Sequence, residues 1–222
     1  FEMYKKLSVL IPVYNEKYTI EKCINSVINA DIGDLELEVI ISDNNSNDGT
    51  KEILSKINNE KVKILNRTDN KGKGANIKNA LKEAEGDLIL FQDADLEYSP
   101  EDYLSLLEPF YKFNADVVFG SRLTRAKATA IVGFPNYIGN LILTFVANFL
   151  FNKIFTDIAT GYKVFKKEII KNMEIKSNGF EIEPEITAKI SKNKKIRIFE
   201  VPITINSRGY SEGKKVRWWH FF

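Results

Sequence analysis

The stretch FQDADLEY, Phe91 to Tyr98, sets Asp93 and Asp95 one residue apart, with Glu97 a further step along, directly after an apolar run that reads as a strand. Like charges at that spacing repel unless a metal ion, an arginine or water sits between them. Read as ligands, Asp95 with Asp93 and Glu97 suit Mg²⁺ or Mn²⁺, hard cations that accept carboxylate and diphosphate oxygens together and keep several waters. An ion so placed would hold the two phosphates of a nucleotide-sugar and stabilise charge on a departing diphosphate. The competing reading is a pair of solvated acids in a loop ahead of a helix. Asp43 ends another apolar run and offers its carboxylate to a base or ribose, or to the turn that follows it. Lys73 lies between Gly72 and Gly74, whose backbone freedom would let the chain approach a phosphate or base. The pattern G-x-x-x-x-G-K-[ST] is absent, which argues against an ordinary P-loop NTPase.

These residues sit where strands give way to helices. KLSVLIPV, LEVIISD, KVKILNR, DLILFQD and ADVVFGS read as five strands. Between them run helical patterns: Ile20, Cys23, Ile24, Val27 and Ile28; TKEILSKI, with Asn47 or Asp48 as N-cap; a helix carrying Ile77, Ala80, Leu81 and Ala84; and SPEDYLSLLEPFYKF, with Pro100 suited to the first turn. Such alternation predicts an α/β fold with parallel neighbours joined by right-handed crossovers. Ligands of these sheets gather beyond the carboxyl ends of the strands, where VYNE, SDNNS, NKGKG, QDAD and GSR all fall.

Bulk properties narrow the classes. The 222 residues, 44% hydrophobic with a formal charge of +2, predict one domain and neither a disordered chain nor a blanket polyanion binder. With Cys23 and His220 the sole cysteine and histidine, a disulfide framework and a zinc site are excluded, and a reducing cytosolic setting fits. The charged Phe1–Lys6 segment does not read as a signal peptide; Met3 reads as a native start behind two extraneous residues. Residues 128–152 carry no charge, but Gly133, Pro135, Gly139 and four asparagines interrupt them, leaving Leu141–Phe151 as an apolar run too short to span a bilayer. It reads as a helix packed on the domain or against a lipid-like ligand, or lying in the membrane interface.

Taken in order, LSVLIPVYNE, VIISDNNSNDGT, NKGKGANIKNAL, GDLILFQDADLEYSPED, DVVFGSR and DIATGYKVFKKEII resemble family 2 glycosyltransferases of the GT-A fold, and among them polyprenyl-phosphate sugar transferases such as the dolichyl-phosphate mannosyltransferases. The resemblance covers nearly the whole chain. It implies a mixed, mostly parallel sheet flanked by helices, with residues 1–122 the nucleotide-sugar half and 123–222 the acceptor-side half. Pro12, Tyr14 and Glu16 match the motif lining the nucleotide pocket, Asp43 the acid that contacts base or ribose, and Lys73 the glycine-flanked position near the nucleotide. Asp93 and Asp95 match the metal and diphosphate signature, and Glu97 stands where relatives often carry glutamine. Arg122 matches a ligand of the acceptor phosphate; Arg208, Lys214 and Lys215 fall in a basic segment that closes over the site. Asn44 replaces a second acid common in relatives, and only Arg125 and Lys127 stand near where a further arginine is expected.

The implied reaction is inverting transfer of mannose or glucose from GDP-mannose or UDP-glucose to a polyprenyl or dolichyl phosphate. A phosphate oxygen is already ionised at neutral pH, so it needs positioning by Arg122, Arg208 and Lys214 rather than a strong base. Were the acceptor a sugar hydroxyl, a base would be required, with Glu183 or Glu185 as candidates; the other reading makes both surface acids that open a helix. The uncharged segment and the terminal RWWHFF suit peripheral contact with the cytoplasmic face of a membrane.

Overall fold

The computed structural model describes residues 4–124 and 134–206. One seven-stranded sheet carries the chain, in the order β3-β2-β1-β4-β6-β5-β7. Its strands are β1 (Lys6–Val13), β2 (Glu36–Asp43), β3 (Val62–Asn66), β4 (Leu88–Phe91), β5 (Val117–Ser121), β6 (Lys163–Lys166) and β7 (Ile198–Pro202). The helices are α1 (Ile20–Ile28), α2 (Thr50–Leu54), α3 (Lys73–Glu83), α4 (Tyr103–Phe113), α5 (Phe134–Phe151), α6 (Lys167–Lys171) and α7 (Ile182–Lys192).

The central strands are largely apolar because both sheet faces are covered there, and the two-residue period of the strands sorts side chains into two cores. Leu7, Val9, Ile11, Val39, Ile41, Leu88 and Leu90 join Cys23 and Ile24 of α1 and Leu106 and Phe110 of α4. Leu10, Ile40, Ile89, Phe91, Val117 and Phe119 face the other way and meet Ile77 of α3, Ala147 of α5 and Ile186 of α7. Strand β1 pairs in parallel with β2 from Lys6↔Glu36 to Val13↔Asp43, and with β4 from Leu7↔Leu88 to Leu10↔Phe91.

Parallel neighbours stop at β4. The expected β4–β5 adjacency is replaced by β6, which inserts antiparallel between them with Val164 opposite both Leu90 and Val118. Antiparallel insertion brings the start of β6, and the loop before it, to the carboxyl ends of β4 and β5. A second departure is small: α2 is N-capped by Gly49 at φ 105, while Asp48 accepts from the Thr50 N–H and hydroxyl one residue early. Pro100 opens a 3₁₀ turn, Pro100–Asp102, capped by Ser99 as its position predicts.

Candidate active site

The loops after β1 and β2 are laced together. Asn15 donates its N–H to Ser46 Oγ at 2.9 Å and exchanges amide hydrogen bonds with Asn47, and Lys17 N–H reaches Asp48 Oδ2 at 3.3 Å. Glu16 belongs to this framework: its N–H donates to Thr50 Oγ1, and its carboxylate accepts from Thr19 Oγ1 at 2.7 Å ahead of α1. Pro12 stands opposite Ser42 in the β1–β2 register, and Tyr14, half-buried, follows the strand end. Asp43 is fully buried and accepts from the Ser46 N–H and hydroxyl, so in this structure it caps the turn.

The glycines around Lys73 serve a different purpose from the one their sequence suggested. Gly72 and Gly74 let the backbone of residues 177–179 lie against the start of α3: a Cβ on either would meet a carbonyl oxygen at 2.7 Å. Gly74 and Ala75 N–H groups donate to the carbonyls of Gly179 and Asn178. The helix start is thus capped by protein backbone rather than open to a phosphate.

Lys73 itself turns to the acids. Its Nζ lies 2.7 Å from Asp93 Oδ1 and 3.0 Å from Glu183 Oε1, an ion contact off the hydrogen-bond axis. Glu183 in turn meets Lys163, a fully buried lysine at the start of β6, at 2.5 Å. Lys163–Glu183–Lys73–Asp93 is therefore a chain of four alternating charges across the sheet edge. Burial alone would push the Lys73 ammonium down, but Asp93 and Glu183 hold it above its ordinary value. Burial would likewise raise the Glu183 carboxyl, yet Lys163 and Lys73 bring it down to about 2. Lys163 is shifted downward because its burial outweighs the single carboxylate beside it. Glu183 is accordingly no surface acid. Glu185 is also held ionised, down to about 2 against the opposing effect of partial burial, by the Lys176 and Ser177 N–H groups and Lys189.

The acids of FQDADLEY diverge. Leu96 has φ 64, a left-handed conformation costly for a leucine, and Glu97 beyond it gives its carbonyl to Asn206 N–H. Asp95 Oδ1 accepts from Glu97 N–H at 3.0 Å while Asp93 faces Lys73. Among the described residues no three His, Cys, Asp or Glu side chains are placed to hold an ion, so the expected trio of Asp93, Asp95 and Glu97 is not assembled. One or two carboxylates completed by diphosphate and water is the set that Mg²⁺ or Mn²⁺ ordinarily takes, and Asp95 with Asp93 fits it.

Arg122, just past β5, is gripped by Asp157: Nε–Oδ2 is 2.6 Å, Nη2–Oδ1 2.7 Å, and the Arg122 N–H adds a third bond to Oδ2. Asp157 is fully buried, whereas the Arg122 side chain keeps 23% of its surface exposed. Burial would raise the Asp157 carboxyl, but Arg122 holds it below its usual value. Tyr98 joins the two regions, its hydroxyl accepting from Gly161 N–H at 2.9 Å and from Arg122 Nη1 at 3.4 Å. Burial pushes that phenol up to about 12 despite Arg122. Gly161 abuts Asp93 so closely that a Cβ there would lie 2.5 Å from Oδ2. Lys73, Asp93, Tyr98 and Arg122 are thus brought together; Arg208, Lys214 and Lys215, with Arg125 and Lys127, lie outside the described residues. Sequence reasoning missed Asp157, Lys163 and Tyr98. Asp157 and Lys163 belong to DIATGYKVF, and their signal was an acid and a lysine inside an otherwise small and apolar stretch.

The family model "Glycosyl transferase family 2" matches residues 8–173. A dolichol-phosphate mannosyltransferase of Pyrococcus furiosus is 31% identical over 220 residues; the alignment takes in 94% of this chain but only 59% of that relative's length. A UDP-N-acetylglucosamine–dolichyl-phosphate N-acetylglucosaminyltransferase of Methanococcus voltae is 28% identical over 226 residues, covering 93% of this chain and 88% of that protein. Among solved structures, glucosyl-3-phosphoglycerate synthase of Mycobacterium tuberculosis, in complex with Mn²⁺, UDP and phosphoglyceric acid, superposes with a TM-score of 0.70 at 20% identity, covering 94% of this chain and 73% of that one. The fold is the GT-A fold expected from the sequence.

Proposed function

The chain belongs to glycosyltransferase family 2, and from that premise we propose that it moves a hexosyl unit, mannose or glucose, from GDP-mannose or UDP-glucose to a polyprenyl or dolichyl phosphate with inversion. The observation that carries this reading is the contact of two differently suited cation sites at one sheet edge: Lys73 on Asp93 and Arg122 on Asp157, joined through Gly161 and Tyr98. The first suits a donor diphosphate. The second is a planar guanidinium already in a two-pronged grip, the geometry by which arginine takes a phosphate. The names of the dolichyl-phosphate relatives agree with such an acceptor.

In this reading Asp95 and Asp93 hold Mg²⁺ or Mn²⁺, which when bound neutralises charge on the diphosphate. Pro12, Tyr14, Glu16 and Asp43 shape and brace the nucleotide side, and Lys73, kept protonated, offsets charge on the leaving group. Arg122 stays in the grip of Asp157 and turns the exposed part of its guanidinium to the acceptor phosphate, aiming a phosphate oxygen at the anomeric carbon from the face opposite the diphosphate. Arg208 and Lys214 add positive charge from the terminal segment. Glu183 and Glu185, both near 2, are poor bases at neutral pH, which disfavours a hydroxyl acceptor.

Residues 1–222 act as one catalytic unit that meets its lipid substrate at the cytoplasmic face of a membrane. Among the described residues no helix is long and apolar enough to cross one. Helix α5 supports a peripheral contact: Phe145, Phe149 and Leu150 are 71%, 78% and 65% exposed, and the helix carries no charge. Radiolabel from GDP-mannose or UDP-glucose should enter a polyprenyl-phosphate product, with chelation and Asp95→Ala each abolishing it. No lipid-linked product from either donor, or full metal-dependent activity in Asp95→Ala, would overturn the reading.

A further inference from the structure

The asparagines that break the apolar run of α5 have partners. Asn140, Thr144 and Asn148 recur every fourth residue, one stripe along the helix. All three meet the segment between α5 and β6. Asn148 Nδ2 donates to the Phe155 carbonyl at 2.9 Å and its Oδ1 accepts from the Phe155 N–H at 2.7 Å. Thr144 accepts from Ile158 N–H at 3.4 Å and donates to Asn140 Oδ1 at 3.3 Å. Asn140 Nδ2 ends the series on Asp157 Oδ1 at 2.8 Å, the same oxygen that holds Arg122 Nη2. From the opposite side Glu200 of β7 accepts the Thr156 N–H at 2.9 Å and the Asp157 N–H at 3.3 Å. The stripe thus meets residues 155, 157 and 158, and its last bond bears on the carboxylate that orients the guanidinium.

We propose that Asn140, Thr144 and Asn148 are positioning residues through which α5 sets the orientation of Arg122. The rest of the helix makes sense on these terms. Leu141, Ile142, Phe145, Val146, Phe149 and Leu150 face solvent. Apolar packing through that face cannot fix the helix; Leu143, Ala147 and Phe151 pack on the core, and the directional bonds on the stripe tie the helix to residues 155–158. The role in transfer rests on Arg122 being the acceptor-phosphate ligand, whereas the geometric role does not.

The test has two readings. Phenylglyoxal modification of Arg122, followed by peptide mass mapping, should run on the order of ten-fold faster in Asn140→Ala, as loss of one charge-assisted hydrogen bond allows, with exposed Arg197 at the other sheet edge unchanged. In transfer assays the acceptor KM should rise by a comparable factor while the donor KM holds, and the effect should vanish in an Arg122→Lys background, where the two-pronged grip is already lost. If Asn140→Ala does not fold, Thr144→Val, which removes the hydroxyl and keeps the volume, carries the same expectations. Unchanged Arg122 reactivity and acceptor KM, or an equal change in the Arg122→Lys background, would overturn the proposal. Faster Arg122 modification in a protein whose wild type transfers nothing to polyprenyl phosphate would uphold the stripe and overturn the acceptor assignment.

Discussion

Glu183→Gln removes the one charge that faces both Lys163 and Lys73. Lys73 keeps Asp93, but Lys163, with no exposed surface, keeps among the described residues the Thr160 carbonyl, the Phe119 ring and the more distant charge of Asp157. Two routes give the cost. Bringing the Glu183 carboxyl from 4.5 down to about 2 corresponds to about 3 kcal/mol of native stability. Breaking a buried pair by removing one partner typically costs about 3–5 kcal/mol. For a chain of this length that is a drop of roughly 10 °C in Tm. Urea unfolding followed by circular dichroism at several pH values reads the effect. Because the folded state binds this proton less tightly, the stabilisation is full above about 4.5 and is lost as pH falls through about 2, so the curves of wild type and variant should converge in acid. They should also approach one another in alkali. Lys163 sheds its proton more easily folded than unfolded, and a variant lacking its counter-ion gains stability as pH rises toward 10.5. Lys163→Met should cost less, since Glu183 keeps Lys73. A Glu183→Gln protein within about 1 kcal/mol of wild type at neutral pH, or a Lys163→Met protein that is the less stable of the two, would refute the charge chain as described.

Two further substitutions probe close contacts. Gly161→Ala would set a methyl 2.5 Å from Asp93 Oδ2 and 3.1 Å from the Tyr98 ring; thermal shift should record a loss of about 1–3 kcal/mol and a weakened response to Mn²⁺ with nucleotide diphosphate. Gly72→Ala meets the Asn178 carbonyl at 2.7 Å from a backbone at φ 98. It should cost a similar amount, about 1–3 kcal/mol, and raise hydrogen exchange at Gly74 and Ala75, whose amides that segment caps.

Of the five strands legible in the sequence, β1, β2, β4 and β5 lie inside the sheet, where burial leaves apolar runs such as VLIPV, while β3 is an edge strand and shows as Val62 and Ile64 alternating with Lys63. The strand KVFK could not be read that way. Its two lysines look solvated, yet Lys163 and Lys166 are 0% and 6% exposed, because Glu183 pairs with one and Asp116 and Asn114 with the other. Those partners lie some 20 to 50 residues away along the chain, beyond the reach of local pattern. Gly72 and Gly74 were misread for a similar reason: their need is set by the backbone of residues 177–179, about 100 positions later. Asp93 and Asp95 could be placed from the sequence because they follow an apolar strand. That Asp93 turns to Lys73 while Asp95 accepts from the Glu97 N–H could not, since it depends on Lys73 and on the left-handed Leu96.

Helix α5 also has a thermodynamic consequence. Most of the apolar surface it owns is already in water when the protein is folded, with Ala147, Leu143 and Phe151 the exceptions that pack on the core. Releasing it from residues 155–158 would break hydrogen bonds while hydrating little new hydrocarbon. Such an opening carries a small m-value and a small heat-capacity increment. Denaturant and cold, whose effects grow with the surface that an opening newly exposes, would therefore have less purchase on this helix than on the sheet beneath it.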